Sequence, residues 1–200
     1  MYGRKVIERQ SMLANIIDTT LYKHVEKNAK AGTHSNRVSQ LCKNLGMAMD
    51  LPDSDVYKLE ASGLFHDIGK IAIQDHILNK SGPLTDQEWH EIMRHPEVGY
   101  WILSTSLEMS DIAKYVLYHH ERFDGSGYPK GLKGREIPLL SRIISVVDSY
   151  DAMTNQRSYK ETLNQDMAVN ELLINKGKQF DPDIVDVFIE KVLNYNTKSM

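Results

Sequence analysis

The sequence predicts an all-α fold, a helical bundle, and three observations predict it. Apolar residues recur at three- and four-residue steps along most of the chain, helix-start signals precede several of those runs, and strand-like alternation is nearly absent. With 200 residues, 41% of them hydrophobic, the chain has enough apolar surface for one sizeable core. No Pro-, Gly- or Ser-rich stretch divides it, and no internal repeat or low-complexity tract is present, so one domain is expected.

The elements follow in order. Residues 11 to about 30 set Leu13, Ile16, Ile17, Leu21 and Val25 on one stripe, and residues 35 to 49 repeat the pattern with Val38, Leu41, Leu45 and Met49. A third helix is expected from about Ser54 to Ile68, with Gly69 placed to end it. Thr85 and Glu88 have the spacing of a capping box, which opens the next helix, and Pro96 interrupts or restarts it just after His95. Ser110 is placed to cap a helix reaching the pair His119-His120, and residues 139 to 153 read as a long apolar helix carrying Asp148. Near the end, Asp181 is an N-cap followed by Pro182 at the first helical position.

Charge and composition exclude several classes of function. A formal net charge of -3 argues against a nucleic-acid polymer as the main partner, because gripping a phosphate backbone needs a positive excess. A small anionic ligand is compatible with it. The single cysteine, Cys42, excludes an internal disulfide and shares an apolar helical face with Val38, Leu41 and Leu45, where packing is its expected role. No apolar run approaches the roughly 18 residues of a membrane span, and the first residues lack the apolar stretch of a secretory signal. A cytoplasmic location without direct membrane insertion is expected.

The chemistry lies in seven residues of metal-ligating type: His34, His66, Asp67, His95, His119, His120 and Asp148. Five of the eight histidines belong to that series. Neutral imidazole and carboxylate are ligands for iron, manganese, nickel and zinc, and a carboxylate can bridge two ions, so the inventory suffices for a binuclear centre. A lone histidine is more often a surface or hydrogen-bonded residue, and His24, His76 and His90 receive no role. The pair His66-Asp67 differs, because the run Leu64-Phe65-His66-Asp67-Ile68-Gly69-Lys70 embeds two ionisable groups whose burial needs a compensating ion or partner. Facing helices of a bundle project such ligands inward.

Spacing adds two candidates. Lys70 follows Asp67 by three residues and His66 by four, so it shares their face if the helix persists; there it contacts a phosphate or protonates a leaving oxygen, or else it merely balances a helix dipole. Asp151 lies one turn beyond Asp148, where it either joins the centre or holds a ligand histidine from behind.

These residues carry a resemblance. His66-Asp67-Ile68-Gly69-Lys70 and the run His119-His120-Glu121-Arg122-Phe123-Asp124-Gly125-Ser126-Gly127-Tyr128-Pro129 resemble the HD-GYP family of cyclic di-GMP phosphodiesterases, within the HD superfamily of metal-dependent phosphohydrolases. The likeness extends through His34-Ser35-Asn36-Arg37-Val38, Gly82-Pro83-Leu84-Thr85, His95-Pro96-Glu97-Val98-Gly99 and Asp148-Ser149-Tyr150-Asp151-Ala152-Met153-Thr154 to Phe180-Asp181-Pro182, roughly residues 20 to 193.

The resemblance implies a bundle of the HD-domain type around an inward-facing metal centre. It implies hydrolysis of cyclic di-GMP to linear pGpG, in some members onward to GMP, by a hydroxide shared between two ions that Asp67 bridges. By position it puts His34, His66, Asp67 and Asp148 at or near one ion, and Asp67, His95, His119 and His120 on the other side. Fe or Mn are the expected ions, with Zn, Ni or Mg as alternatives. In the same way Tyr128 belongs to a substrate-side GYP element, while Arg157 and Lys160 match positions that bind the phosphate and guanine of the ligand. Taken alone, the Asp124 to Pro129 loop is also a tight turn, rich in glycine whatever its function.

One position departs from the pattern. Family members with a third ion resemble one another in a glutamate four residues before the first histidine, and here Lys30 occupies that position. Two ions are therefore expected, with His34 or His120 as the ligand left idle, and with pGpG as the end point. Two other functions remain open: a cyclic dinucleotide receptor with little turnover, and an HD phosphohydrolase acting on another cyclic dinucleotide such as cyclic GMP-AMP. Residues 1–30 read as an N-terminal helix ahead of a phosphohydrolase domain at 31–200. That helix either extends from an upstream sensor, pairs with its copy in a homodimer, or packs on its own domain.

Overall fold

The computed structural model describes residues 29–155 and 162–196. The expected helix at residues 11 to 30, and His24 on it, fall almost wholly outside them.

Helix α1, Ala29–Ala48, runs unbroken through Gly32 and Thr33, so the interruption expected between residues 30 and 35 does not occur. Its buried Val38, Cys42 and Leu45 pack with Leu59 of α2, Asp53–Phe65, and with Ile143, Ile144 and Val147 of α7, Leu139–Thr154. The same cluster takes in Val169 and Leu172 of α8, Gln165–Ile174, and Ile184 and Val185 of α9, Pro182–Val187. Each such Val, Leu or Ile side chain, fully buried, contributes about 1.5–3 kcal/mol of transfer free energy. Cys42 is at 0% exposure within this core, as its apolar helical position predicts.

A second cluster forms on the other face of α2, where Ala61 and Phe65 meet Leu103 of α5, His95–Leu103, and Ile112, Ala113 and Val116 of α6, Ser110–Leu117. Short α3, Asp75–Leu78, and α4, Asp86–Met93, lie between α2 and α5. Among the described residues the one β contact is an isolated bridge between Lys176 and Phe180. The all-α class is confirmed.

Several local expectations hold. Thr85 accepts from the Glu88 amide while the Glu88 carboxylate accepts from the Thr85 amide, a complete capping box. Pro96 sits in the first turn of α5, and Asp181 caps α9 by accepting from the Asp183 amide.

Two expectations are corrected. Helix α2 ends at Phe65 rather than Ile68, and the chain tightens into a 3₁₀ turn, Ile68–Ala72. Gly69 is there for close approach and not as a helix stop: a Cβ on it would lie 1.9 Å from the His95 carbonyl oxygen and 2.6 Å from the Gly99 nitrogen. Only a bare backbone lets this turn press on the start of α5. Ser110, in turn, is not a cap. A 3₁₀ turn, Leu107–Met109, feeds directly into α6, and the Ser110 hydroxyl donates to the Leu107 carbonyl at 2.9 Å. Helix α6 stops at Leu117, so the histidine pair lies just beyond its end.

Candidate metal centre

The seven ligand-type residues, far apart in sequence, converge between α1, α2, α5, α6 and α7. His34 lies on α1 and Asp148 on α7; His66 follows the end of α2, His95 opens α5, and His119 and His120 follow α6. His66, Asp67, His95 and His119 are all buried.

Two groups of donor atoms result. His34, His66 and Asp67 form one, and His95, His119 and His120 the other, each with its donor atoms within 4.8 Å of one another. Asp67 faces both: Oδ2 lies 3.5 Å from His66 Nε2 and 4.0 Å from His34 Nε2, while Oδ1 lies 3.4 Å from His95 Nε2. Asp148 Oδ1 joins the first group, 3.2 Å from His34 Nε2 and 3.6 Å from His66 Nε2.

Hydrogen bonds decide which nitrogen of each ring faces inward. His66 Nδ1 meets the Gly63 carbonyl at 2.8 Å, His95 Nδ1 the Ile92 carbonyl at 2.7 Å and His119 Nδ1 the Val116 carbonyl at 2.6 Å. A carbonyl only accepts, so each Nδ1 carries the proton and donates, leaving Nε2 of the neutral ring with a lone pair. These carbonyls belong to the last turns of helices, where the regular ladder of helical amides runs out. His34 Nδ1 similarly donates to Asp151 Oδ2 at 2.6 Å.

The donor set fits metal ions. His34 Nε2 and His66 Nε2 are buried without a hydrogen-bond partner, an arrangement that is costly unless a cation completes it. His95 Nε2 and His119 Nε2 stand 3.4 Å apart, lone pair toward lone pair once both Nδ1 atoms donate to carbonyls. A cation held by both rings would turn that repulsion into attraction.

The electrostatics agree. Burial opposes the charge on Asp67, but Lys70, His66 and His95 hold its carboxyl well below the usual range. Burial likewise opposes charge on Asp148, and the His34 and His66 rings beside it outweigh that, holding its carboxyl well below the usual range. Burial lowers His119 strongly and His120 to about 3, so that side stays neutral and ready to ligate. At His34 burial also disfavours the charged form, yet the neighbouring carboxylates of Asp148 and Asp151 raise the pKa to about 9.

Lys70 reaches the centre although α2 does not extend to it. The 3₁₀ turn keeps it three residues beyond Asp67, with Nζ 2.5 Å from Asp67 Oδ2. Tyr128 is half-buried and stacks on His120, ring centroids 5.0 Å apart and planes 27° from parallel. Burial first, then Asp67 and Asp148, push its phenol pKa upward. Arg157 and Lys160 lie outside the described residues. His76 and His90, given no role, are exposed and belong to neither group of donor atoms.

Sequence reasoning missed three supports. Buried Glu121 accepts from the amides of Lys130 at 2.7 Å and Leu132 at 3.1 Å, tying the loop that carries Tyr128 to the residue after the histidine pair. Gly127 lets that loop lie flat: a Cβ there would sit 2.3 Å from the Arg122 nitrogen and 2.6 Å from the His120 carbonyl oxygen. Arg37 donates twice to Asp151, from Nε at 2.7 Å and Nη2 at 2.9 Å. The three-residue spacings His34 to Arg37 and Asp148 to Asp151 were readable signals for the last of these. Glu121 had none beyond its place in the motif.

Comparison with known proteins agrees with this architecture. Residues 11–184 match the family model described as HD domain. The chain is 41% identical over 155 residues to the cyclic di-GMP phosphodiesterase response regulator RpfG of Xanthomonas campestris pv. campestris, covering 76% of this chain and 41% of that protein. It is 37% identical over 166 residues to the 3'3'-cGAMP-specific phosphodiesterase 2 of Vibrio cholerae, covering 82% of this chain and 32% of that one. The chain thus spans well under half the length of these relatives. Among solved structures, an HDG"Y"P protein from Bdellovibrio bacteriovorus shares the fold, with a TM-score of 0.64 at 17% identity over 80% of this chain and 51% of the other. The chain belongs to the HD domain family, in the HD-GYP group whose motifs it carries.

Proposed function

We propose that this protein hydrolyses a phosphodiester bond of cyclic di-GMP to give linear pGpG, with two divalent ions held by His34, His66, Asp67, His95, His119, His120 and Asp148. The observation that carries the reading is the placement of Asp67, one carboxylate oxygen toward each histidine group. Divalent ions bound there supply a water of lowered pKa and neutralise charge on the phosphoryl oxygens. Fe or Mn suit this mixed nitrogen and oxygen donor set, with Zn, Ni or Mg as alternatives.

The chain's own groups do the rest. Lys70 Nζ, held on Asp67, is placed to meet a phosphoryl oxygen or to deliver a proton to the departing 3′ oxygen. Tyr128, stacked on His120, offers an aromatic edge beside the centre for a base or a phosphate. Arg157 and Lys160 supply the remaining contacts to phosphate and guanine, Arg157 through its planar fork and Lys160 as a point charge. Lys30 stands one turn before His34 on α1, where a third ion would need a carboxylate, and this supports two ions and pGpG as the end point.

A second substrate has a specific observation behind it: the relative at 37% identity is named for 3'3'-cGAMP. One experiment separates the readings. The protein is purified without oxygen, its metals are measured, and its products from cyclic di-GMP, cyclic GMP-AMP and pGpG are resolved by chromatography. The expected result is pGpG from cyclic di-GMP with two metals per chain. Faster turnover of cyclic GMP-AMP reassigns the substrate, and binding of either dinucleotide without turnover replaces the enzyme with a receptor.

A further inference from the structure

Four ligand imidazoles have Nδ1 engaged, and three of them use main-chain carbonyls, of Gly63, Ile92 and Val116. His34 alone of the four uses a side chain, Asp151. That carboxylate is 1% exposed, and every oxygen on it is occupied: Oδ1 accepts from Arg37 Nε at 2.7 Å and Asn155 Nδ2 at 3.0 Å, and Oδ2 from His34 Nδ1 at 2.6 Å and Arg37 Nη2 at 2.9 Å.

The relay is built into helix register. Arg37 follows His34 by three residues on α1, and Asp151 follows Asp148 by three on α7, so the two ligands share one layer between the helices and their two holders share the next. The guanidinium fork bonds both carboxylate oxygens and thereby fixes the carboxylate plane, which a lysine ammonium, a point charge, does not do. The fixed plane in turn fixes the His34 ring and aims Nε2 at Asp148 and Asp67.

Resting on the two-ion reading above, we infer that Arg37 is a positioning residue for the ion on the His34 side, acting through Asp151 and setting that ion's affinity independently of the three-histidine side. On the three-histidine side His95 and His119 are oriented by main-chain carbonyls and not by this relay. Outer partners of ligating histidines typically govern about 10–100-fold in metal affinity.

The test is equilibrium dialysis of the metal-stripped full chain against Mn²⁺, for the unmodified protein, Arg37→Ala and Arg37→Lys. The unmodified protein should hold two tight equivalents. Arg37→Ala should keep one unchanged and weaken the other by about 10–100-fold, and Arg37→Lys should restore only part of the loss. Two unchanged equivalents in Arg37→Ala overturn the inference, as does equal weakening of both with a lowered melting temperature, which marks a purely structural arginine. If Arg37→Ala does not fold, Arg37→Gln is read by the same criteria. Fewer than two equivalents in the unmodified protein overturns the two-ion reading itself, and the inference with it.

Discussion

Lys70 Nζ lies 2.5 Å from Asp67 Oδ2, one 3₁₀ turn further along the chain. This places a cation on the carboxylate that both histidine groups share. Lys70→Met should lower turnover of cyclic di-GMP by at least about 100-fold, the range of a positioned proton donor. Metal analysis should still find two equivalents per chain. Loss of an ion instead would make Lys70 a structural counter-charge for Asp67.

Asp67→Ala should abolish hydrolysis and release at least one metal equivalent, because the residue facing both groups is gone. Metal content and product formation are measured on the same sample. Full activity with unchanged metal would refute the proposed centre.

Gly127→Ala tests the loop. Its methyl would land 2.3 Å from the Arg122 nitrogen, and backbone there has no cheap way to yield. We expect destabilisation of about 1–3 kcal/mol by overpacking, read by chemical denaturation. Turnover should fall at least about tenfold with both metals kept, since Tyr128 is shifted and the histidines stay.

The metal-stripped protein should have a stability maximum near pH 6.5. Protonated His34, its pKa raised from 6.5 to about 9, contributes fully below pH 6.5, and that contribution disappears as pH rises through 9. His120, lowered to about 3, contributes above pH 6.5 and loses its contribution as pH falls toward 3. Denaturant midpoints at pH 5, 6.5 and 9 check both limbs. Saturating Mn²⁺ should flatten the alkaline limb, where an ion replaces the proton on His34; an unchanged fall would separate His34 from the metal site.

Lys30→Glu should raise metal stoichiometry above two, because it replaces a cation with an oxygen donor one turn before His34. The unmodified protein should accumulate pGpG. Three tight equivalents before the substitution, or rapid conversion of pGpG to GMP, would remove the argument from Lys30.

Much of this was legible in the sequence, for identifiable reasons. Apolar periodicity located α1 and a long apolar run located α7, and Thr85 with Glu88 and Asp181 with Pro182 marked helix starts, because caps are local chemistry. The ligand series was visible because few other roles demand so many histidines at once. What stayed hidden depends on approach between distant segments. Gly69 looked like a helix stop because its neighbour, the His95 carbonyl, is 26 positions away and only the fold brings it within reach. Glu121 holds an amide nine residues on, Lys130, at a spacing no helical or strand period announces. Ser110 misled because a 3₁₀ turn already supplied the lead into α6.

The two sides of the centre differ in how sequence drift can reach them. The tautomers of His95 and His119 are inherited from the path of the chain, through carbonyls of Ile92 and Val116 that contribute no side-chain atom. Neighbouring positions can vary without disturbing those rings as long as the helix ends where it does. His34 is encoded instead by Asp151 and Arg37, two side chains that single substitutions can remove. The aim of His95 and His119 is therefore insulated from side-chain substitution around them, while the aim of His34 is where a lineage can tune or discard an ion while keeping the fold.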